Sequence, residues 1–312
     1  MDVDGIPGEM GRGLRISVLL LTMDPVLAGA QQVCQAVATV NPFFIGRNGT
    51  IEAEVLYFWM TKRRDGASYP PRALHYLQNN AGVFPCTEES VDAWCEAYTK
   101  ALAYLTGGAA GWYAPMIKQE AAVLDAYTPQ RAFRVPLRSL EPYYVGAGNR
   151  WTEHLRGRNV CVVSSFADTI KNQIGKPIWR GAQTGLLPET IQWSFVRTGY
   201  APSVGRGSAE WPEGCATWQE AVEYVVREVE ATGAEVALIG CGGLGMVIAG
   251  RLRQKGISSI VLGGAIQVLF GIKGRRWANH SVISGLWNDA WVSPAADEIP
   301  GGAASVEGGC YW

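Results

Sequence analysis

The sequence predicts an α/β fold: a doubly wound, mainly parallel sheet with helices on both faces. The first sign is an alternation of apolar strand-like runs and helical segments at 235–239, 243–254, 258–262 and 265–271. The second is "NVCVVSSF" at 159–166, a continuous apolar run that ends in two serines. Such a run is typical of a parallel strand that is buried on both faces and opens into a loop at its carboxyl end.

Helices and a strand are also predicted in the first part of the chain. Asp24 followed by Pro25 predicts the start of a helix that runs to about Ala38. "PFFIGR" at 42–47 indicates a short buried strand. After a glycine turn, the apolar positions of "IEAEVLYFWMTKR" at 51–63 are close to a helical stripe. A strand, a turn and a helix are therefore expected in this order.

Two further helices are predicted from threonine caps. Thr87 precedes apolar residues with helical spacing at 91, 94, 95, 98, 102 and 105. Thr217 and Glu220 form the pattern of a capping box ahead of another amphipathic segment. Both helices are expected to bury one apolar face.

The composition is ordinary for a folded protein and limits its partners. The 312 residues are 48% hydrophobic and 18% charged, with 27 basic and 28 acidic side chains and a net charge of −1. A nearly neutral chain has no overall field that recruits nucleic acid, so nucleic acid is expected only as a chemical acceptor. We expect one domain over 13–312, a flexible tail at 1–12, and an insertion or lid within 175–215, where proline and glycine recur.

The cysteine pattern and the hydropathy of the chain predict where in the cell the protein is located. The seven cysteines are odd in number and contain no C-x-x-C pair, so neither a disulfide framework nor a zinc site is indicated. A reducing, cytoplasmic location is expected. The apolar run "ISVLLLTM" at 16–23 has the length of a strand, whereas a membrane span needs roughly 20 apolar residues. No membrane span is predicted.

The segment "GCGGLG" at 240–245 satisfies the G-x-G-x-x-G pattern between a predicted strand and a predicted helix. Dinucleotide-binding folds place a carboxylate at the end of the next strand, about 20 residues on. Here that strand ends in Gly263 and Gly264, which argues against NAD. Two interpretations remain: the glycines let backbone amides approach an anion, or they only permit tight turns. The nearby Lys273, Arg275 and Arg276 are suited to a diphosphate, or form a solvated basic turn.

Six segments together resemble the GT-D-type glycosyltransferases, sugar-nucleotide-dependent enzymes with a Rossmann-like core. They are "FFIGRNGTIEAEVL" (43–56), "YLQNNAGVFP" (76–85), "CVVSSFADTIKNQI" (161–174), "ALIGCGGLGMVIAGRLRQKG" (237–256), "IVLGGAIQVLFGIKGRRW" (260–277) and "VEGGCYW" (306–312). The resemblance implies a nucleotide sugar as co-substrate at the carboxyl edge of the sheet.

The family carries an Arg-x-Gly-Asp-x-Glu loop associated with metal and donor diphosphate. Arg47, Gly49 and Glu52 match this loop, whereas Thr50 stands in the position of the aspartate. A single carboxylate is a poor cage for Mn²⁺ or Mg²⁺, so Glu52 is expected to hold a metal only weakly. Glu52 is instead the candidate general base; the alternative is that it only stabilises the first turn of its helix.

The remaining candidates each have a second interpretation. Asn79 and Asn80 are suited to sugar hydroxyls, but asparagine is also frequent in turns; Ser164 and Ser165 pose the same choice. His75 is expected to have a surface or core role. By resemblance, the segment 306–312 returns to the cleft, where Glu307 and Tyr311 contact acceptor or donor; otherwise it is a docked core strand. Most of the twelve tryptophans are expected to be packing residues.

By this resemblance, the protein is expected to be a glycosyltransferase that moves a sugar from a nucleotide-diphosphate donor to a hydroxyl of a glycan, a protein or a hydroxylated nucleic-acid base. A nicotinamide-dependent oxidoreductase and a non-catalytic carbohydrate-binding protein are the alternatives. The expected donor-binding residues are Arg47, Gly49, Thr50, Asn79, Asn80, Ser164, Gly240, Cys241, Gly242, Gly243, Gly263, Gly264, Lys273, Arg275 and Arg276.

Overall fold

The computed structural model of the protein describes residues 24–111 and 113–312. The expectations for the tail at 1–12 and the run at 16–23 lie outside these residues. The described chain forms a seven-stranded sheet in the order β3-β2-β1-β7-β6-β4-β5, and every pairing in it is parallel. The predicted α/β fold with a parallel, Rossmann-like sheet is confirmed.

The strands are β1 (Phe44–Arg47), β2 (Gly107–Ala110), β3 (Phe133–Pro136), β4 (Asn159–Ser164), β5 (Gln192–Arg197), β6 (Val236–Gly240) and β7 (Ser258–Val261). The α-helices are α1 (Pro25–Val37), α2 (Thr50–Thr61), α3 (Pro71–Asn79), α4 (Glu88–Leu102), α5 (Ile117–Tyr127), α6 (Ala167–Gln173), α7 (Pro202–Gly205), α8 (Trp218–Ala231), α9 (Gly245–Gln254), α10 (Ala265–Leu269) and α11 (Ile283–Leu286). Short 3₁₀ turns fill several of the connections.

The predicted caps are present. The Asp24 side chain accepts a hydrogen bond from the backbone of Val26 at the start of α1, and Thr87 caps α4 by accepting from Ser90. Thr217 and Glu220 form both hydrogen bonds of the capping box that opens α8. These interactions lie within a few residues of each other, which is why the sequence alone reveals them.

Three strands were not predicted from the sequence. The strand β2 is "GGAA", which has little β propensity, and β3 is only four residues long. They are strands because β2 pairs with β1 and β3 pairs with β2. The third, β5, lies within 175–215 and extends the sheet beside β4. The insertion or lid proposed for that region stays a prediction.

Helices cover both faces of the sheet. One apolar cluster contains Val55 of α2, Trp94 of α4 and Val247 of α9, and the other contains Val33 of α1 and Ile170 of α6. Consecutive strand residues divide between the two clusters, as in Cys161 and Val162 of β4, because side chains alternate along a strand. In the described part of the chain no helix is both long and apolar enough to cross a membrane.

The point where the winding reverses lies between β4 and β6. These neighbours pair from Val160 with Val236 to Ser164 with Gly240. The chain leaves β4 through α6 on one face of the sheet, whereas it leaves β6 through α9 on the other. In open parallel sheets a crevice forms at such a reversal, outside the carboxyl ends of the strands, and it is the usual place for a ligand.

Candidate active site

A cavity of about 580 Å³ opens at this carboxyl edge, within the size range of sites for nucleotide-sized ligands. It is lined by the ends of β1, β4, β6 and β7, by α3 and by the segment 306–311. Fifteen of the predicted site residues line it together: Arg47, Gly49, Thr50, Glu52, Asn79, Asn80, Ser164, Gly240, Cys241, Gly242, Gly263, Gly264, Arg276, Glu307 and Tyr311.

Three predicted donor-binding residues do not line the cavity. The backbone amide of Gly243 donates to the Ala81 carbonyl at 2.7 Å. The Lys273 ammonium lies 5.7 Å from the centroid of the Trp287 ring, and Arg275 lies beside the backbone of Gly309. Of the three basic residues in this run, only Arg276 faces the cavity.

The loop between β1 and α2 positions Glu52. Gly49 is the N-cap of α2, and Glu52 lies in the first helical turn with its carboxylate folded back over Gly49. A Cβ atom at residue 49 would collide with that carboxylate, so a larger residue at this position would displace the Glu52 side chain. Burial raises the pKa of Glu52; its own backbone amide and Arg47 oppose the rise, and Glu307 adds to it. Glu52 therefore holds a proton more strongly than an ordinary glutamate.

A buried hydrogen-bond network holds this loop in place. Asn48 donates to a carboxylate oxygen of Glu120 at 3.1 Å and accepts from the Tyr98 hydroxyl at 2.7 Å. The other carboxylate oxygen of Glu120 accepts from the backbone amide of Gly111 at 2.8 Å. The network joins the carboxyl end of β1 to that of β2. Sequence reasoning missed it because its members lie far apart in the chain.

Arg47 is the cation at the end of β1. Its side chain runs past Gly263, and in the described chain no carboxylate lies within salt-bridge distance of it. The buried Glu141 is in its neighbourhood: burial raises the pKa of Glu141 to about 7, while Arg47 and Arg138 oppose the rise. The guanidinium of Arg47 is therefore available to an anionic ligand in the cavity.

Different structural constraints explain why glycine is found at each position after β6 and β7. Gly242 has a φ of +46°, and a Cβ atom there would lie 2.5 Å from the Ala81 carbonyl oxygen. At Gly240 a Cβ atom would meet Ile266 at 2.5 Å. Gly264 lies directly beneath Arg276 and Tyr311. Close packing of the turn thus explains why glycine is found at 240, 242 and 243. Glycine at 264 leaves room for the Arg276 and Tyr311 side chains that pack on it.

Gly242→Val is therefore expected to destabilise the protein itself, because it combines left-handed strain with a collision. We expect the free energy of unfolding to fall by about 2–3 kcal/mol and the melting temperature by about 5 °C, measured by thermal unfolding without ligand. Gly66→Val is the matched control: Gly66 also has a positive φ, of +85°, but nothing lies within 4 Å of a Cβ atom there. Equal losses in both variants would show that the contact with Ala81 is unimportant.

The segment 306–312 is docked on α10 and on the 3₁₀ turn at Arg275–Trp277, which follow β7 in the chain. The backbone amide of Arg276 donates to the Cys310 carbonyl at 2.9 Å, and the Gln267 amide donates to the Tyr311 carbonyl at 2.8 Å. The Arg276 guanidinium donates to the Tyr311 hydroxyl at 3.0 Å and to the Glu307 carboxylate at 2.8 Å. Glu307 and Tyr311 thus reach the cavity, as the resemblance implied; the roles of both residues remain predictions.

Several hydroxyl groups line the cavity near the ends of β4 and β5. The Ser165 and Tyr200 hydroxyls lie 2.8 Å apart, and Thr198 and Ser164 line the cavity beside them. Burial raises the pKa of Tyr200, and it raises the pKa of the Cys241 thiol to about 12. These groups therefore stay protonated at neutral pH. Thr198 and Tyr200 were missed because β5 was not predicted.

Asn79 and Asn80 line the cavity at the carboxyl end of α3. Asn79 contacts His75 on the same helix at 3.2 Å and accepts from the Ser203 hydroxyl at 2.8 Å. His75 is exposed, which agrees with a surface role. The buried side-chain oxygens of Asn80 and Gln267 have no hydrogen-bond partner among the described residues, and both residues line the cavity. These two oxygens can accept from hydroxyl or N–H groups of a ligand.

The residues of the cavity do not form a metal cage. The carboxylates that line it are Glu52, Glu54 and Glu307, and Glu307 is paired with Arg276. Across residues 24–111 and 113–312 no group of three or more histidine, cysteine, aspartate or glutamate side chains is arranged to hold a metal ion. This donor set is poor for a hard divalent cation.

Comparison with known proteins gives two similar solved structures. One, a new glycosyltransferase (DUF1792) from Streptococcus sanguinis, has a TM-score of 0.44 and 9% identity, covering 87% of this chain and 94% of that chain. The other, a selenomethionine-substituted domain of unknown function 1792, has a TM-score of 0.38 and 11% identity, covering 86% and 96%. No family model and no curated protein matches the chain.

Proposed function

We propose that the protein is a glycosyltransferase that moves a sugar from a nucleoside-diphosphate donor, UDP- or GDP-linked, to an acceptor hydroxyl. The observation that carries the proposal is the convergence of Arg47, Glu52 and Arg276 in one cavity at the carboxyl edge of the sheet. Two guanidinium groups suit a diphosphate, and a carboxylate of raised pKa is a stronger base than an ordinary glutamate.

Each group then has a role in the transfer. Arg47 and Arg276 stabilise the negative charge that develops on the departing diphosphate. Glu52 takes the proton of the acceptor hydroxyl as that oxygen attacks the anomeric carbon and the bond from that carbon to the diphosphate breaks. The unpartnered oxygens of Asn80 and Gln267 accept hydrogen bonds from hydroxyl or N–H groups of the donor, which fixes its orientation.

The oxidoreductase alternative has less support from the structure. NAD is held by a carboxylate at the end of the strand that follows the glycine loop. In this chain that strand is β7, and its end continues into Leu262, Gly263 and Gly264. Nothing at that position can bind the hydroxyls of a ribose through a carboxylate.

Calorimetric titration of the purified protein with UDP-sugars, GDP-sugars and NADH tests the proposal. We expect binding of a nucleotide sugar and slow release of its nucleoside diphosphate, with water or an added glycan as acceptor. Binding of a nucleotide sugar without any release would favour the non-catalytic alternative. Tight binding of NADH, with no binding of either nucleotide sugar, would overturn the proposal.

Metal dependence is expected to be weak, because the family aspartate is replaced by Thr50 and the other carboxylates of the cavity are dispersed. We expect release of the nucleoside diphosphate to persist after exhaustive EDTA treatment, with less than about a threefold change on adding Mn²⁺ or Mg²⁺. Thr50→Asp should raise metal affinity by supplying a second hard ligand beside Glu52. Complete loss of the wild-type activity in EDTA, restored by Mn²⁺, would contradict this prediction.

A further inference from the structure

The charge of Arg276 is already paired within the chain. Its guanidinium donates to the Glu307 carboxylate at 2.8 Å and lies 4.8 Å from the centroid of the Tyr311 ring. A Cβ atom at Gly264 would lie 3.2 Å from the same guanidinium. Arg276 therefore packs directly on the backbone of Gly264, just after β7. Glu307 thus places a carboxylate next to the position that a diphosphate would occupy.

The pair is only partly shielded from water. The Arg276 and Glu307 side chains are 28% and 33% exposed, and both line the cavity. An ion pair that reaches solvent is weak and exchanges readily. Carboxylate and phosphate oxygens bind a guanidinium through the same planar fork of donors, so the two anions compete for the same hydrogen-bonding groups.

The backbone that presents Glu307 is unusual. Glu307 has a φ of +46°, and Gly308 and Gly309 follow with +70° and +76°. A non-glycine residue in the left-handed region is held there by its surroundings at an energetic cost. This turn directs the Glu307 carboxylate back to Arg276 across the edge of the cavity.

The docking of the segment rests on more than the Glu307 carboxylate, which accepts from Arg276 at 2.8 Å and from the Cys310 thiol at 3.4 Å. Cys310 and Tyr311 are held through their backbone carbonyls by Arg276 and Gln267. The Trp312 ring packs against Phe166 and Tyr200, with centroid distances of 6.5 and 5.8 Å. We therefore expect the segment to stay in place when an amide of the same shape replaces the Glu307 carboxylate.

We propose that Glu307 competes with the diphosphate of the donor for Arg276 and so limits how tightly nucleotides are held. The inference rests on the proposed function. An incoming diphosphate has to share the Arg276 guanidinium with the Glu307 carboxylate or displace that carboxylate from it. The consequence for turnover is faster release of the nucleoside diphosphate product, because that product carries the same anionic group.

The test is the affinity for UDP and GDP of the wild type and of Glu307→Gln, measured by calorimetry in EDTA. We expect Glu307→Gln to bind the nucleoside diphosphate tighter by about three- to tenfold. Uridine and guanosine lack the diphosphate, so Glu307→Gln should bind each of them with an affinity within about twofold of that of the wild type. Glu54→Gln is the matched control, because Glu54 lines the same cavity and has no salt bridge among the described residues.

A second variant isolates the role of Arg276. In an Arg276→Gln background, the added Glu307→Gln change should lose most of its effect, because two residues that act through one contact are not additive. Weaker or unchanged diphosphate binding by Glu307→Gln, or equally tighter binding of the uncharged nucleosides, would overturn the competition. A wild type that binds neither UDP nor GDP would instead overturn the proposed function.

Discussion

Replacing Glu52 by glutamine is expected to lower turnover by about 10²–10⁴-fold, the usual contribution of a positioned general base. Glutamine keeps the size of the side chain and its place in the first turn of α2, but it cannot take a proton from an acceptor hydroxyl. Donor affinity should change little, because Arg47 and Arg276 are untouched. The measurement is release of the nucleoside diphosphate at saturating donor, together with the calorimetric affinity for the donor.

Glu54→Gln is the matched control for this variant. Glu54 lies on the same helix and lines the same cavity, but it is exposed, whereas Glu52 is buried. Its replacement should change turnover by less than about threefold, as expected for an exposed charge. If Glu52→Gln keeps full turnover, or if both variants lose activity equally, Glu52 is not the base.

The pH dependence separates catalysis from folding. Burial raises the folded-state pKa of Glu52 above its ordinary value of 4.5, so its contribution to stability is complete below the unfolded pKa and declines as pH rises through the folded pKa. The ionised carboxylate therefore costs stability at neutral pH. At pH 8 the free energy of unfolding of Glu52→Gln should equal or exceed that of the wild type, and at pH 4 the variant should be no more stable than the wild type. The remaining activity of Glu52→Gln should no longer fall as the pH is lowered, because glutamine does not titrate.

Replacing Arg47 by methionine is expected to weaken binding of the nucleoside diphosphate by about 10–100-fold, the range for loss of hydrogen bonds to a charged group. Arg47 contributes because no carboxylate in the described chain competes for its guanidinium at salt-bridge distance. Arg47→Lys keeps the charge but not the planar fork, so an intermediate loss is expected. Titration of UDP and GDP in EDTA gives these affinities directly.

A second arginine of the cavity provides the comparison. Arg72 lines the cavity from α3 and stacks on Tyr76, with its guanidinium 5.2 Å from the ring centroid. Arg72→Met removes the same charge at the exposed rim and should weaken binding by less than about threefold. Equal losses for Arg47→Met and Arg72→Met would mean that only the total charge of the cavity matters.

The site was only partly predictable from the sequence. The loop of Arg47, Gly49 and Glu52 was found because its members lie within six positions of each other and match a known pattern. The basic run was found too, but its spacing could not show that Arg276 alone turns into the cavity. That outcome depends on the 3₁₀ turn at Arg275–Trp277 and on the docked segment that contacts it.

Local interactions explain what the sequence by itself determined. The capped helices α1, α4 and α8, the buried strands β4, β6 and β7, and the glycine turns after them follow from hydrogen bonds and apolar spacing within a few residues. Tertiary structure alone decided that "GGAA" forms β2, that β5 adds Thr198 and Tyr200 to the cavity, and that Asn48 is held by Tyr98 and Glu120. These features depend on strand pairing and buried contacts between distant segments, whose partners no local pattern specifies.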